Sequence, residues 1–318
     1  MAPTRGTADR RVGEGSRVLV LNRASGVAAA GTARALGVER GFVVREADGD
    51  AVVETARAAA EAGATLVVAG GGDGTVSSVV RGIAAADALD EVVLGVVPCG
   101  TGNNFAANVG VRNVTHAFEV VRSGEERRID LGRVHVTDAD VTDERPFLNS
   151  CVAGLTADAS ERTSAALKRR YGPFAYVATA LGAAPTYESL PLRVEGPNGD
   201  AWRGDALCVF VGNARGLPRG GRLRLTQANV EDGLFEVALV SAAPALELAG
   251  DELLRRLFRE GTANIELRSL AAVSVRSEEG PVRFSLDGEM VSANRLDAET
   301  VPRALRVRVG PGYVPTPR

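Results

Sequence analysis

The sequence predicts an α/β domain on a parallel sheet followed by a largely antiparallel β domain, and three observations carry that prediction. From Val18 to about Val121, short apolar runs alternate with alanine-rich helical stretches. Runs without polar alternation fit strands covered on both faces, as in a parallel sheet. Beyond Arg127 the period changes: Ile129, Leu131, Val134 and Val136 alternate with polar or charged residues, as in half-buried antiparallel strands. Further on, Gly196-Pro197-Asn198-Gly199 between two strand-like runs is a strong hairpin signal.

Taken in order, Val18–Leu21 reads as a strand, Val27–Leu36 as a helix and Gly41–Val44 as a short strand. Asp50–Glu61 reads as a helix capped by Asp50, Leu66–Ala69 as a strand, Thr75–Ala86 as a helix and Val92–Val97 as a strand. In the helix after Gly74, Val76, Val79, Val80, Ile83 and Ala84 form an i, i+3, i+4, i+7, i+8 stripe that would pack on the sheet. In the second half, Asp138–Arg145 reads as a polar loop reversing the chain toward Phe147. Strands are expected at Leu207–Val211, Phe235–Val240, Ala271–Val275 and Val282–Leu286, with helices around Arg162–Ala183 and Ala245–Glu260. The expected domains are therefore a flexible N-terminus at 1–16, an α/β domain at 17–126 and a β-rich domain at 127–318. The last strand, Leu305–Val309, can return to either domain.

The length of 318 residues suits two domains, and an apolar fraction of 45% is enough for a real core. A net charge of −3 gives no global pull toward nucleic acid or membrane. No apolar run reaches the ~18 residues of a membrane span, and no signal-peptide core follows the early arginines. A cytoplasmic protein is expected. Cys99, Cys151 and Cys208 lie far apart, with neither zinc-ligand spacing nor a disulfide framework. They read as small buried thiols, although Cys99, beside a Gly-rich loop, is also open to a reactive role.

Three loops follow three of the apolar strands: Asn22–Gly26, Gly70–Thr75 and Pro98–Asn104. In open α/β sheets ligands bind beyond the carboxyl ends of the strands, where all three can meet. Glycine lets a backbone approach phosphate and turn its N–H groups inward, and a helix starting at Thr75 would add free N–H groups and a positive dipole end. A carboxylate at Asp73 repels phosphate, so it suits either holding Mg²⁺ or polarising a hydroxyl nucleophile. The chain has no GxxxxGK[ST]. Thr75 and Phe105 stand where GxGxxG would need its third glycine, which argues against a dinucleotide-binding dehydrogenase.

At this point the sequence resembles the diacylglycerol, sphingosine and ceramide kinase catalytic family. Leu66–Gly82, around Gly71-Gly72-Asp73-Gly74-Thr75, is similar to its GGDGT signature, and Pro98–Ala106 to its P-x-G-T-x-N-D-F-A. Phe147-Leu148-Asn149 through Gly154 and Asp158, Tyr171-Gly172 to Tyr176, Val211-Gly212-Asn213, Glu231–Leu234 and Leu286-Asp287-Gly288-Glu289 follow in family order.

The resemblance implies a two-domain kinase of the NAD kinase/diacylglycerol kinase-like fold that phosphorylates a lipid hydroxyl, most simply diacylglycerol or a related lipid alcohol, using ATP and Mg²⁺. It implies nucleotide binding by Asn22, Ser25, Gly26, Gly70, Gly71, Gly72, Gly74, Thr75, Gly100, Thr101 and Asn103. Asp158 and Asn104 are implied as substrate-binding, and Asp73, Asp130 and Asp232 as metal-binding. Asp287, Asp73 and Glu289 are the implied catalytic acids, with Asp287 favoured as base and Asp73 next. The protein is expected to act peripherally at a membrane surface on a lipid partner, without nucleic acid; oligomeric state is open, a homodimer included. The arginines at Arg169, Arg170, Arg215, Arg219, Arg222 and Arg224 read either as lipid-headgroup contacts or as a solvated face.

Arg23 replaces the proline of the family's N-P-x-S-G loop, Ser77 and Ser78 its N-E, and Asn104 the aspartate of N-D-F-A. The last two bear on metal affinity, substrate choice and turnover. They motivate the rival of a nucleotide-binding relative that no longer transfers phosphate, which retention of Asp73, Asp287 and Glu289 disfavours. An NAD kinase is a second rival; its N-T-D and N-E signature is not matched here.

Overall fold

In the computed structural model the structure describes residues 12–138, 141–154, 189–214, 227–241 and 265–317. The helices expected at Arg162–Ala183 and Ala245–Glu260, the Tyr171–Tyr176 motif, Asp158 and the arginines from Arg169 to Arg224 named above lie outside them. The chain divides into two units. One comprises Met1–Ile129 with Arg303–Val314, the other Asp130–Pro302 with Pro315–Arg318.

The first unit runs β1 (Arg17–Asn22), α1 (Val27–Glu39), β2 (Val43–Ala47), α2 (Ala51–Glu61), β3 (Leu66–Gly71), α3 (Asp73–Ala85), β4 (Val93–Pro98), α4 (Asn104–Asn108) and α5 (Val114–Ser123). β1 lies between β2 and β3, and β3 pairs with β4, all parallel. The runs without alternation are buried on both faces: Val18, Leu19, Val20, Val67, Val68, Leu94 and Val97 are all inaccessible to solvent. The stripe on α3 packs as its period requires, with Val76, Val79, Val80 and Ile83 buried.

That helix starts at Asp73 rather than Thr75, because Gly72 is extended and Val76 N–H already donates to Gly72 O. α2 packs closely on α3 where a Cβ on Gly82 would collide with Val53 O and Ala56 Cβ. Asp50 does not cap α2: its backbone is already helical and its side chain makes no cap bond. The sequence reading did not include α4 and α5. α5 is capped by Asn113, whose side chain accepts from His116 N–H.

The second unit begins within β5 (Glu125–Asp138), followed by β6 (Val141–Phe147), β7 (Ser150–Gly154), β8 (Leu190–Glu195), β9 (Ala201–Gly212) and β10 (Phe235–Ser241). Then come β11 (Ile265–Leu270), β12 (Ala272–Ser277), β13 (Val282–Leu286), β14 (Glu289–Ala293) and β15 (Arg295–Val309). The pairings β14-β13-β7-β9-β8-β12-β15 and β9-β10-β11 are all antiparallel in this unit.

The Gly196–Gly199 turn closes the β8–β9 hairpin, with Gly196 N–H donating to Asp200 O and Gly199 at φ +82. The polar loop expected at Asp138–Arg145 is instead strand: β6 pairs residue by residue with β5 from Asp138↔Val141 to Gly132↔Phe147. Ladder hydrogen bonds come from the backbone, so β6, paired on β5, tolerates the run Thr142-Asp143-Glu144-Arg145 without apolar alternation. Inward residues from these strands build one core, where the Phe147 and Phe235 rings stack at 5.4 Å.

β15 serves both units by its two halves. Leu296 and Ala298 pair beside β12 in the second unit, whereas Arg306 and Val307 pair in parallel with Val93 and Leu94 of β4.

Candidate active site

In the first unit the three loops at the carboxyl ends of β1, β3 and β4 lock together. Asn22 Nδ2 donates to Thr75 Oγ1 at 2.9 Å, while Asn22 Oδ1 accepts from Ala24 N–H at 2.9 Å. Gly26 N–H donates to Cys99 O and Cys99 N–H to Gly71 O. Gly72 and Gly100 meet back to back: a Cβ on Gly72 would sit 3.3 Å from Gly100 Cα, and one on Gly100 would strike Gly72 Cα. No other residue type permits that approach. Asn103 takes the left-handed conformation at φ +49; its Oδ1 accepts from Gly100 N–H and its Nδ2 donates to Gly100 O.

Asp73 lies at the centre of this arrangement. Its Oδ2 accepts from Asn104 N–H at 3.0 Å and Asn104 Nδ2 at 2.8 Å, and its Oδ1 from Phe105 N–H at 2.8 Å. The carboxylate thus anchors the start of α4 to the start of α3, and the Asn104 side-chain amide, in place of an aspartate carboxylate, supplies one of the three donors. Gly74, Thr101 and Gly102 lie exposed, and a Cβ on Gly74 would meet nothing within 4 Å. The unit therefore presents a helix N-terminus and glycine backbone with open space above it, which suits a phosphate chain. Thr75 is buried and Ser25 half-buried, so Thr75 contributes through its bond to Asn22. Ser77 is buried and Ser78 half-buried on α3.

The second unit holds Asp287 and Glu289. Asp287 at φ +50 and Gly288 at φ +98 form the two-residue turn of the β13–β14 hairpin, whose flanking pair is Leu286↔Glu289. An Asp-Gly pair with both φ positive is the favoured composition for such a turn. The Asp287 carboxylate accepts from Leu148 N–H at 2.7 Å, Asn149 N–H at 2.7 Å and Ser150 N–H at 2.9 Å. It fastens the hairpin to the entry of β7. Glu289, with 47% of its side chain exposed, reaches Arg145 Nη1 at 3.4 Å.

The residues expected to bind metal form no ligand set. Asp130 is buried and its Oδ2 accepts from Gly233 N–H at 2.7 Å, and Asp232 Oδ1 accepts from Leu234 N–H at 3.0 Å. With Asp73 also held by N–H donors, each of the three carboxylates is engaged by backbone. Among the described residues no group of three or more His, Cys, Asp or Glu is placed to hold a metal. Carboxylates already engaged in this way do not fit a protein-held Mg²⁺.

Sequence reasoning missed the supporting role of Asn213. Its Nδ2 donates to Asp130 O at 3.1 Å and Leu148 O at 2.9 Å, and its N–H to Asn149 O at 2.9 Å, which steadies the segment that grips Asp287. A buried asparagine ending an apolar strand is the signal that could have found it. Cys99 is not a reactive thiol: burial pushes its pKa up to about 11. Burial pushes Cys208 up to about 12. It raises Cys151 as well, with the Asp287 charge adding to the effect.

Comparison with known proteins accords with this architecture. Residues 18–134 match the diacylglycerol kinase catalytic domain, and residues 149–309 the YegS C-terminal NAD kinase beta sandwich-like domain. A "Probable lipid kinase YegS-like" protein of Stenotrophomonas maltophilia is 33% identical over 79% of this chain and 80% of its own length. "Lipid kinase YegS" of Escherichia coli (strain K12) is 30% identical over 78% of this chain and 79% of its own. The crystal structure of a diacylglycerol kinase from Bacillus anthracis str. Sterne aligns over 94% of this chain and 98% of its own with a TM-score of 0.67; at 17% identity it shows a shared fold. The chain belongs to the diacylglycerol kinase catalytic-domain family, in its YegS-type form. It is a kinase, a phosphotransferase. No helix among the described residues is long and apolar enough to cross a membrane.

Proposed function

We propose that the protein transfers the terminal phosphoryl group of ATP to the hydroxyl of a lipid alcohol, diacylglycerol being the simplest candidate, while resting peripherally on a membrane. The observation that carries this reading is the interlocked set of three loops with open space over Gly74. Its backbone N–H groups and the α3 dipole suit the phosphates of a nucleotide, and positioning with charge stabilisation does most of the work in phosphoryl transfer. Bound Mg²⁺ would supply further neutralisation of the phosphate charge. The names of the relatives support a lipid as acceptor.

Glu289, rather than Asp287, takes the part of general base. The Asp287 carboxylate is engaged by three N–H donors, whereas the Glu289 side chain on the same hairpin is half exposed. In the reaction a Glu289 oxygen accepts the proton of the lipid hydroxyl. The lipid oxygen bonds the γ-phosphorus, the bond to the β–γ bridging oxygen breaks, and ADP leaves.

The test incubates the protein with γ-labelled ATP and a total lipid extract. Label should enter a chloroform-soluble phosphomonoester, and Glu289→Gln should slow this by about 10²–10⁴-fold with ATP affinity retained. Label appearing in NAD, or in no acceptor at all, overturns the reading.

A further inference from the structure

Across the second unit, four arginines stand in one row. The strand registers place Arg203 of β9 opposite Arg193 of β8, Arg193 opposite Arg276 of β12, and Arg276 opposite Arg295 of β15. At the usual spacing between neighbouring strands the row is roughly 14 Å long. The alternate positions Leu192, Val194, Val275 and Leu296 point into the core, so the arginines occupy the opposite face. Arg193, Arg203 and Arg276 are exposed and Arg295 is half-buried.

Like charges directly opposite on adjacent strands are destabilising, and this sheet makes three such contacts in succession. Three members of the row lean on acids beside it: Arg193 on Glu195 at 2.6 Å, Arg203 on Glu278 at 2.8 Å and Arg295 on Asp297 at 2.8 Å. Exposed pairs of this kind are weak and readily exchanged. Arg276, between two other arginines, has no ion-pair partner among the described residues. A guanidinium inside a cationic row, with no carboxylate beside it among the described residues, attracts an anion.

We propose that this face docks on an anionic phospholipid bilayer, with lipid phosphates meeting Arg193, Arg276 and Arg295. The acids on either side confine the positive charge to one row, too narrow to follow a nucleic-acid backbone. Individual lipid phosphates diffuse in the plane and can each meet one guanidinium in the planar fork geometry it favours. The chain's overall charge of −3 supplies no general attraction to an anionic surface, so docking calls for a local cationic patch such as this row. The inference rests on the proposed function in one respect, that a lipid acceptor lies in a bilayer.

The experiment is co-sedimentation of the full chain, without nucleotide, with vesicles of phosphatidylcholine alone or mixed with phosphatidylglycerol. The unaltered protein should partition onto the mixed vesicles, and high salt should release it. Arg276→Ser should weaken partitioning roughly five-fold, about the worth of one basic residue near a charged surface. Arg276→Lys should retain it. Joint replacement of Arg193, Arg276 and Arg295 by serine should bring partitioning to the level seen with phosphatidylcholine alone, with circular dichroism checking that the fold persists. Equal binding to both vesicles, undiminished binding by Arg276→Ser, or displacement of the vesicles by duplex DNA would each overturn the proposal. Because no turnover is measured, an inactive protein that still docks counts against the kinase reading alone.

Discussion

At the residue scale, two carboxylates two positions apart carry different tasks because their surroundings differ. Asp287 sits in a left-handed turn with its oxygens on Leu148, Asn149 and Ser150 N–H, and Glu289 stands half exposed two residues along the hairpin. Asp287→Asn would turn an amide nitrogen toward at least one of those donors and leave it without an acceptor. The expected loss is about 1–3 kcal/mol of stability, seen as a lower urea midpoint, whereas Glu289→Gln should leave that midpoint unchanged. An unchanged midpoint for Asp287→Asn would mean that the carboxylate does not fasten the hairpin, and would return it to consideration as the base. The family resemblance implied both acids as catalytic through their motif. It favoured Asp287 as base and could not show that its oxygens are already engaged, because their donors lie more than a hundred residues away in the chain.

At the scale of elements, glycines divide into those that shape the phosphate loops and those that leave room above them. Gly100 is of the first kind, with Gly72 Cα against the place a Cβ would take, and Gly74 is of the second, with open space there. Gly100→Ala should therefore push two loops apart, lowering thermal stability and nucleotide affinity together. Gly74→Val should lower nucleotide affinity with little effect on stability, since its side chain projects only into the ligand's space. Calorimetry of ATP binding alongside a thermal melt separates the two, and equal ATP affinity in Gly74→Val would remove this surface as the phosphate site. The parallel strands and the α3 stripe were legible because burial on two faces leaves continuous apolar runs and a 3.6-residue period. The β5–β6 pairing was not, because Thr142 to Arg145 carry no apolar alternation and the pairing that holds them is between backbones. α4 escaped notice for a similar reason: it has five residues, and its start is fixed by Asp73 from another loop.

At the scale of the whole molecule, the chain leaves the first unit after Ile129 and re-enters it at Arg303, so the last stretch of β15 completes a sheet begun almost three hundred residues earlier. The apolar alternation at Leu305, Val307 and Val309 was visible in the sequence, but alternation alone names no partner strand. The contacts name it. All three side chains are buried; Arg306 Nη1 donates to Asp90 O and Glu91 O, and Arg308 Nη1 to Gly124 O. Burying a side chain of this size is worth about 1.5–3 kcal/mol, so the three together approach the 5–15 kcal/mol that holds a typical domain folded. A chain ending at Pro302 keeps the β12 pairing of Arg295–Glu299 but loses every one of these contacts. Hydrogen exchange should show its β4 amides unprotected, with β3 and β1 weakened in turn. β8, β9 and β12 should exchange as slowly as in the full chain. Persistent protection of Val93 and Leu94 in the shortened protein would show that the first unit is stable without its returning strand. Loss of protection throughout both units would show instead that they fold as one cooperative body.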